Sequence, residues 1–359
     1  MFYDVIHFEA LGEEAKHIEE VTEKMIAEGK LPIGFKYLIT PNTVQEYLAQ
    51  EPTVTLPEII TTKTHSTLPD DYVNTGEKKS VITRSAGYDH FEHLQDKINL
   101  TSLREYCVDA VSQTAIKFMY CVAGNLNEYT KNTEVFERKN TRSFRELNEN
   151  VIVVIYGLGK IGHQTYKNAV AAGVKTLAVD IREDELKQLP DYADVKFVSP
   201  EEAIKSADII INVMNLTKNK ESRFYNEHYF TEEYLNKASK PLLVINVTRG
   251  EIFPESVVMK LYEEGRIIGF ATDVFSHEAE LTDCLRKHDF SACKDEDILA
   301  AKRIIEKAID RTANFYVQPH QGFNSDIAAM TKAEEAMRHV AYWFSHGRRG
   351  FVEQLPYYN

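Results

Sequence analysis

The stretch from Val151 to Asp180 limits what this chain can fold into more than any other part of the sequence. It opens with an unbroken apolar and mostly β-branched run, which is typical of a strand buried on both faces of a parallel sheet. Three glycines follow at once, in Gly157-Leu-Gly159-Lys-Ile-Gly162, and a helical pattern begins among them. A second apolar run then ends on Asp180. This order predicts a strand, a tight turn, a helix and a second strand of a doubly wound sheet.

The glycine-rich turn is suited to binding a dinucleotide. Gly157 permits the tight turn, Gly159 lets backbone N–H groups approach a pyrophosphate, and Gly162 lets helix and strand pack closely. The helix N-terminus adds partial positive charge. Asp180 can accept hydrogen bonds from both ribose hydroxyls and repels a 2′-phosphate, so the sequence predicts NAD rather than NADP. Arg182 is the neighbouring feature that weakens this preference.

Bulk properties exclude several classes of partner. The formal net charge of −13 argues against nucleic acid and against an anionic membrane surface. The four cysteines, at positions 107, 121, 284 and 293, form no CxxC pair and no ligand set with histidine, so free thiols and no metal site are predicted. The N-terminus is acidic where a signal peptide needs basic residues, and no apolar run is long enough to span a membrane. We therefore expect a cytoplasmic protein.

Alternating strand and helix patterns predict two α/β domains within the 359 residues. The last helix, 325–346, is expected to pack back on the first domain, which gives domains of 1–110 plus 326–359 and of 111–325. Helices are also predicted at 12–29, 43–51, 105–126 and 294–311, and the charged run 131–150 is predicted to be solvated. Five strands are predicted in the first domain, at 2–8, 37–40, 58–62, 80–83 and 98–100. Seven are predicted in the second, at 151–156, 176–179, 196–198, 208–213, 241–247, 267–273 and 314–317.

Four further segments at or after predicted strand ends carry polar groups, where doubly wound sheets bind ligands. They are Ser85-Ala-Gly-Tyr-Asp89, Asn246-Val-Thr-Arg-Gly250, Thr272-Asp-Val-Phe-Ser-His-Glu278 and Gln318-Pro-His-Gln-Gly322. Together with the glycine-rich turn, they make the chain resemble the D-isomer-specific 2-hydroxyacid dehydrogenases over nearly its whole length, and the D-lactate dehydrogenase-like branch in particular. The resemblance implies a Rossmann NAD domain, a flavodoxin-like substrate domain, an active site in the cleft between them, and a homodimer.

Three side chains are candidates for catalysis. A histidine suits proton transfer near neutral pH, and the resemblance makes His320 the acid/base. Glu278 would pair with the imidazole, hold its tautomer and favour its protonated form. Ala279 replaces the proline that usually follows this glutamate, and Glu280 is the second candidate for the role. The planar fork of Arg249 suits a substrate carboxylate, and the resemblance adds contact with the carbonyl oxygen.

The resemblance also implies further contacts. Backbone N–H groups of Ala86 and Gly87 would hold the carboxylate, and Tyr106 would lie near the substrate. On the cofactor side, the implied contacts are Lys160 and Ile161 at the pyrophosphate, the main chain of Val247 and Thr248, Arg249, and Asp273 at the nicotinamide carboxamide. Two features depart from the family: Ser112-Gln-Thr114 replaces a common Glu-His pair, and the helix at 294–311 is a surface elaboration, a subunit contact or a lid.

The function predicted from these features is NADH-dependent reduction of a small 2-oxo acid to the D-2-hydroxy acid. Pyruvate and branched or aromatic 2-oxo acids are favoured, because no additional basic cluster for a phosphate is evident in the sequence. A phosphorylated substrate is less favoured. The alternative is a non-catalytic NAD(H)-binding scaffold, like the co-repressors of the same fold, which retain similar motifs.

Overall fold

Two units, each built on a parallel sheet, make up the chain in the computed structural model, which describes residues 2–358. Met1–Cys107 and Asn324–Asn359 form the first unit, and Val108–Phe323 forms the second. The chain leaves the first unit once and returns to it with its last helix.

The first unit has a five-stranded sheet in the order β2-β1-β3-β4-β5, which is the order of flavodoxin-like folds. All five strands were predicted: β1 Val5–His7, β2 Tyr37–Ile39, β3 Ile59–Thr62, β4 Ser80–Thr83 and β5 Asn99–Ser102. The helices are α1 Gly12–Ala27, α2 Val44–Gln50, α3 Asp70–Val73 and, from the end of the chain, α13 Ala328–Ser345.

The last helix of the chain, α13, packs on this unit. Ile18 and Val21 of α1 and Met337 and Val340 of α13 belong to one buried cluster. Trp343 of α13 is buried, and its indole Nε1 donates a hydrogen bond to Ser80 Oγ at 2.8 Å. Because α13 contributes core side chains rather than surface contacts, the first unit is incomplete without it.

The second unit has a six-stranded parallel sheet in the order β11-β10-β9-β8-β6-β7. Its strands are β6 Ile152–Tyr156, β7 Lys175–Val179, β8 Ile209–Asn212, β9 Leu242–Asn246, β10 Ile267–Thr272 and β11 Phe315–Val317. Its helices are α4 Val108–Gly124, α5 Leu126–Asn132, α6 Lys160–Ala171, α7 Glu183–Leu186, α8 Pro200–Ser206, α9 Glu232–Leu235, α10 Glu255–Glu263, α11 Glu278–Lys287 and α12 Glu296–Ile309. Helices and parallel strands alternate, as in a Rossmann fold.

The prediction of seven strands in the second unit is wrong. Residues 196–198 lie beside β7, where the edge strand was expected, but Phe197 makes only one isolated bridge, to Ala178. The segment cannot extend further because Ser199 already caps α8, with its side chain accepting a hydrogen bond from the N–H of Glu202. A turn that starts a helix so soon leaves no room for a full strand.

The helix predicted at 294–311 is α12, and it is a packed part of the second unit. Ile298, Ala301 and Ile304 are fully buried in the core of that unit. Asp295 caps the helix by accepting hydrogen bonds from the N–H groups of Asp297 and Ile298. Because the apolar face of α12 is buried in the core of its own unit, the structure favours a structural elaboration over a lid.

Candidate functional site

The glycine-rich turn after β6 has the backbone geometry that a dinucleotide site requires. Gly157 has a φ of +90°, and a Cβ there would lie 2.8 Å from the backbone of Met214. A Cβ on Gly162 would lie 1.8 Å from the carbonyl oxygen of Gly157. A Cβ on Gly159 would meet no protein atom within 4 Å, so protein packing does not explain that glycine. The turn and the N-terminus of α6 therefore fit a pyrophosphate.

Asp180, at the end of β7, is hydrogen-bonded to this turn. One carboxylate oxygen, Oδ2, accepts a hydrogen bond from the N–H of Leu158 at 2.6 Å, and Oδ1 accepts one from the N–H of Arg182 at 2.8 Å. The Arg182 side chain is also paired with it, Nε lying 3.4 Å from Oδ1. Each carboxylate oxygen can accept a further hydrogen bond, so the pair of ribose hydroxyls still has partners.

Sequence reasoning missed a second support of the turn. The hydroxyl of Tyr192 donates to the carbonyl of Leu158 at 2.9 Å, and the ring of His163 stacks on Tyr192 with centroids 4.2 Å apart. Leu158 is thus held at both its N–H and its carbonyl. The sequence offers no signal for Tyr192, because it lies far beyond the glycines in a polar segment.

His320 and Glu278 form a hydrogen-bonded pair. His320 Nδ1 lies 2.8 Å from Glu278 Oε2, and Glu278 Oε1 accepts from the N–H of Phe275 at 3.2 Å. Burial opposes ionisation of Glu278, but the hydrogen bond and charge of His320, with help from Phe275 N–H and Arg249, keep its pKa below the usual value. With Nδ1 directed at the carboxylate, Nε2 is the nitrogen that can exchange a proton with a ligand.

The loop that carries His320 is held by the buried carboxylate of Asp273. Oδ1 accepts from the N–H of Gln321 at 2.8 Å, and Oδ2 accepts from the N–H of Gly322 at 2.7 Å. The N–H of His320 donates to the main-chain carbonyl of Asp273 at 2.7 Å. Burial raises the pKa of Asp273, and these N–H groups oppose the rise. Asp273 therefore positions the histidine, a role the sequence did not indicate.

Ser112 and Thr114, which replace residues common in the family, both make hydrogen bonds within the second unit. Thr114 Oγ1 donates to the carbonyl of Gly322 at 3.2 Å, and Ser112 Oγ accepts from the Asn168 side chain at 2.7 Å. These hydroxyls join α4 to the histidine loop and to α6.

Two buried asparagines at the ends of β8 and β9 shape the loop that carries Arg249. They face each other in the strand register, and Asn212 Nδ2 donates to Asn246 Oδ1 at 2.9 Å and to Thr248 Oγ1 at 3.1 Å. Asn246 Nδ2 donates to the carbonyl of Arg249 at 2.9 Å. Sequence reasoning missed Asn212, although an amide closing an otherwise apolar strand was a usable signal.

Arg249 lies near the Glu278–His320 pair. It is half-buried, its Nη1 donates to the carbonyl of Thr248 at 2.8 Å, and its charge lowers the pKa of Glu278. The following residue, Gly250, would place a Cβ 1.9 Å from the N of Ser276, so the two loops touch through their backbones. The structure thus brings Arg249, Glu278 and His320 together at the carboxyl ends of the sheet.

The predicted substrate residues of the first unit follow β4 and β5, at the carboxyl edge of that sheet. Ala86 and Gly87 are half-buried, and the Gly87 carbonyl accepts from Ser85 Oγ at 2.7 Å. Tyr106 is held through its N–H, which donates to Glu335 Oε2 at 2.9 Å. Lys332 Nζ lies 4.8 Å from the centroid of the Tyr106 ring, and Lys63 and Arg84 both pair with the carboxylate of Glu14 in the same unit.

Residues 2–358 hold neither a candidate metal-binding group nor a helix that could span a membrane. No group of three or more His, Cys, Asp or Glu side chains among them could hold a metal ion. No helix in the same range is both long and apolar enough to cross a membrane.

Comparison with known proteins identifies the family to which this chain is similar. Residues 116–322 match the family model "D-isomer specific 2-hydroxyacid dehydrogenase, NAD binding domain". A D-lactate dehydrogenase of Staphylococcus aureus strain Mu50 is 26% identical over 266 residues, which are 71% of this chain and 73% of that protein. A glyoxylate reductase of Thermofilum pendens is 29% identical over 210 residues, covering 56% of this chain and 59% of the relative.

A solved structure resembles the whole chain. The D-lactate dehydrogenase of Aquifex aeolicus, crystallised with NAD and lactic acid, superposes with a TM-score of 0.74 at 19% identity, covering 97% of this chain and 98% of that one. This likeness confirms the predicted two-domain α/β fold. The family model covers more than half of the chain, and the glycine-rich turn fits the dinucleotide. The chain therefore belongs to the D-isomer specific 2-hydroxyacid dehydrogenases, and it is an NAD-dependent oxidoreductase that acts on 2-hydroxy acids.

Proposed function

We propose that this chain reduces a small 2-oxo acid to the corresponding D-2-hydroxy acid, with His320 as the proton donor. The observation that carries the proposal is the 2.8 Å hydrogen bond between His320 Nδ1 and Glu278 Oε2, close to Arg249. Pyruvate and branched or aromatic 2-oxo acids are the substrates that the sequence favours.

The cofactor-binding residues are proposed from the turn geometry and the family resemblance. Gly157, Gly159, Lys160, Ile161 and Gly162 would hold the pyrophosphate, and Asp180 would accept the ribose hydroxyls. NADH, when bound, supplies the hydride. On its nicotinamide side, the contacts would come from the main chain of Val247 and Thr248, from Arg249, and from Asp273, whose carboxylate also anchors the histidine loop.

The chain itself must orient the oxo acid and supply a proton. Arg249 would bind the carboxylate and polarise the carbonyl oxygen, because its guanidinium can donate two parallel hydrogen bonds. Backbone N–H groups of Ala86 and Gly87 would hold the same carboxylate, and Tyr106 would contact the substrate. His320 would donate its proton to the carbonyl oxygen as the alkoxide develops, while Glu278 stabilises the imidazolium.

Location and assembly are proposed from the remaining surface and the cysteines. All four cysteines are free, which supports the reducing cytoplasm as the site of action. Phe136, Phe144 and Val135 of the second unit are more than half exposed, and an apolar group of this kind supports a homodimer. Sedimentation velocity would then give twice the chain mass.

The test is oxidation of NADH, followed by its absorbance, with pyruvate, 2-oxobutyrate, 2-oxoisocaproate, phenylpyruvate, oxaloacetate, glyoxylate and 3-phosphohydroxypyruvate. Turnover of one member to the D-acid is the expected result. Tight NADH binding without reduction of any oxo acid would contradict the proposal and favour a scaffold function.

A further inference from the structure

The last residues of the chain pack along β5, the edge strand of the sheet in the first unit. The N–H of Leu355 donates to the carbonyl of Leu100 at 2.8 Å, and Thr101 Oγ1 donates to the carbonyl of Glu353 at 2.7 Å. Leu355 is buried in one of the apolar clusters of that unit. Residues 351–358, called the C-terminal segment below, therefore cover an edge of the sheet.

Tyr357 brings the C-terminal segment to the carboxyl end of β5. Its hydroxyl accepts a hydrogen bond from the N–H of Ser102, the last residue of that strand, at 2.6 Å. The guanidinium of Arg104 lies 4.2 Å from the centroid of its ring. Arg104 also donates to Glu353 Oε2 at 3.0 Å and to the hydroxyl of Tyr358. Tyr357 is thus held at both its ring and its hydroxyl.

The ring of Tyr357 also contacts the loop that follows β4. Tyr88 packs against it in an edge-to-face arrangement, with centroids 5.3 Å apart and planes at 73°, which is a favoured geometry for two aromatic rings. Tyr88 belongs to residues 85–89, called the substrate loop below. In this loop, Ala86 and Gly87 are the residues proposed to hold the substrate carboxylate.

A second connection to the substrate loop runs through the backbone. Leu103, which follows Ser102, donates its N–H to the carbonyl of Ser85 at 3.0 Å. Ser85 Oγ in turn donates to the carbonyl of Gly87 at 2.7 Å. Because Tyr357 is bonded to Ser102 and also packs on the loop itself, it supports the substrate loop at both of its ends.

We propose that Tyr357 is a positioning residue, which holds the N–H groups of Ala86 and Gly87 in the orientation that binds the substrate carboxylate. It acts through Tyr88 and does not itself touch the substrate. The proposal rests on the function proposed above, which gives the substrate loop its role. A loop that is ordered in advance loses less conformational freedom when the oxo acid binds, so the support should be visible in KM.

The experiment uses the oxo acid that the wild type reduces fastest, at a saturating concentration of NADH. Tyr357→Leu should raise KM for the oxo acid by about tenfold, because the loop loses the ring contact and the support through Ser102. kcat should fall by a smaller factor, and the dissociation constant of NADH should not change, since the dinucleotide turn belongs to the second unit. Tyr357→Phe keeps the ring against Tyr88 and should retain most of the wild-type KM.

Tyr88→Leu tests the same contact from the side of the loop. It should raise KM by about the same factor as Tyr357→Leu. The double variant should have the KM of Tyr88→Leu alone, because two residues that act through one contact are not additive. Independent effects that multiply to about a hundredfold would overturn the proposal, and so would an unchanged KM in Tyr357→Leu.

Trp343→Phe is the matched control for a general loss of stability. The indole of Trp343 donates its hydrogen bond to Ser80, which is the first residue of β4, whereas the substrate loop follows the last. The variant removes a buried polar contact from the same unit and should leave KM for the oxo acid unchanged. A rise as large as that in Tyr357→Leu would overturn the proposal.

If the wild type reduces no oxo acid, the dehydrogenase proposal fails, and hydrogen exchange still tests the support of the loop. Peptides that cover residues 85–89 should exchange about threefold faster, or more, in Tyr357→Leu than in the wild type and in Trp343→Phe. That result would support the positioning by Tyr357. Equal exchange in the wild type and in Tyr357→Leu would overturn it.

Discussion

At the scale of single residues, the carboxylate of Glu278 is the group that faces the imidazole of His320. The hydrogen bond and charge of His320 hold the pKa of Glu278 below its usual value against the effect of burial, so this carboxylate stays charged at neutral pH. Glu278→Gln keeps the size and removes the charge. We expect kcat/KM for reduction to fall by about tenfold or more, because the imidazolium loses the negative charge that stabilises it.

The measurement is kcat/KM for the oxo acid at a saturating concentration of NADH. Glu280→Gln is the control, because Glu280 is the second candidate and lies on the same first turn of α11. A fall in kcat/KM in Glu280→Gln alone would assign the role to Glu280.

Asp180 gives a second prediction at this scale, for cofactor choice. Asp180→Ala should weaken NADH binding by about tenfold, because the ribose hydroxyls and the Leu158 N–H both lose an acceptor. The same change should relax the preference over NADPH, since the repulsion of a 2′-phosphate is removed. Arg182→Gln keeps the carboxylate and should retain the preference for NADH. The measurement is the ratio of the dissociation constants of NADH and NADPH. An unchanged ratio in Asp180→Ala would contradict the assignment of Asp180 to the ribose.

At the scale of elements, the first residue of α10 links stability to pH. Glu255 is 1% exposed, its Oε1 accepts from the N–H of Ser276 at 2.9 Å, and burial raises its pKa to about 8. The folded protein therefore holds a proton that the unfolded chain has released above about pH 4.5. The stability from this proton is fully present below that pH and is lost as the pH rises toward about 8.

Glu255→Gln should accordingly flatten the fall in the free energy of unfolding across this range. Urea titrations at several pH values, on the wild type and the variant, measure the effect. Parallel slopes in the two proteins would show that Glu255 is ionised in the folded state. Because Ser276 lies just before Glu278, the same variant also reports on the segment that presents the catalytic pair.

The strands and long helices could be predicted because each depends on a local apolar pattern. The segment 196–198 could not be judged that way, because the short distance to the capped helix α8 decides its length. The pair of Asn212 and Asn246 depends on the register between β8 and β9, which no single strand encodes. Asp273 was assigned to the cofactor from its motif, and only the folded loop shows that it also holds the N–H groups of Gln321 and Gly322.

At the scale of the whole molecule, the features that could not be predicted from the sequence are groups of side chains that lie far apart along the chain. Lys63, Arg84 and Lys332 all act on the carboxylate of Glu14 because α13 returns to the first unit, so this group of charges is not visible in the linear sequence. Arg249, Glu278 and His320 were proposed from family motifs that follow three neighbouring strands of one sheet, β9, β10 and β11. Parallel topology then collects the ends of those strands at one edge.

The central claim is that His320 donates the proton in NADH-dependent reduction, and His320→Gln tests it most directly. The variant and the wild type are compared for kcat/KM with the best oxo acid and for the dissociation constant of NADH, measured by fluorescence. We predict a loss of at least about 100-fold in kcat/KM with NADH affinity nearly unchanged. Near-normal turnover in His320→Gln would contradict the account.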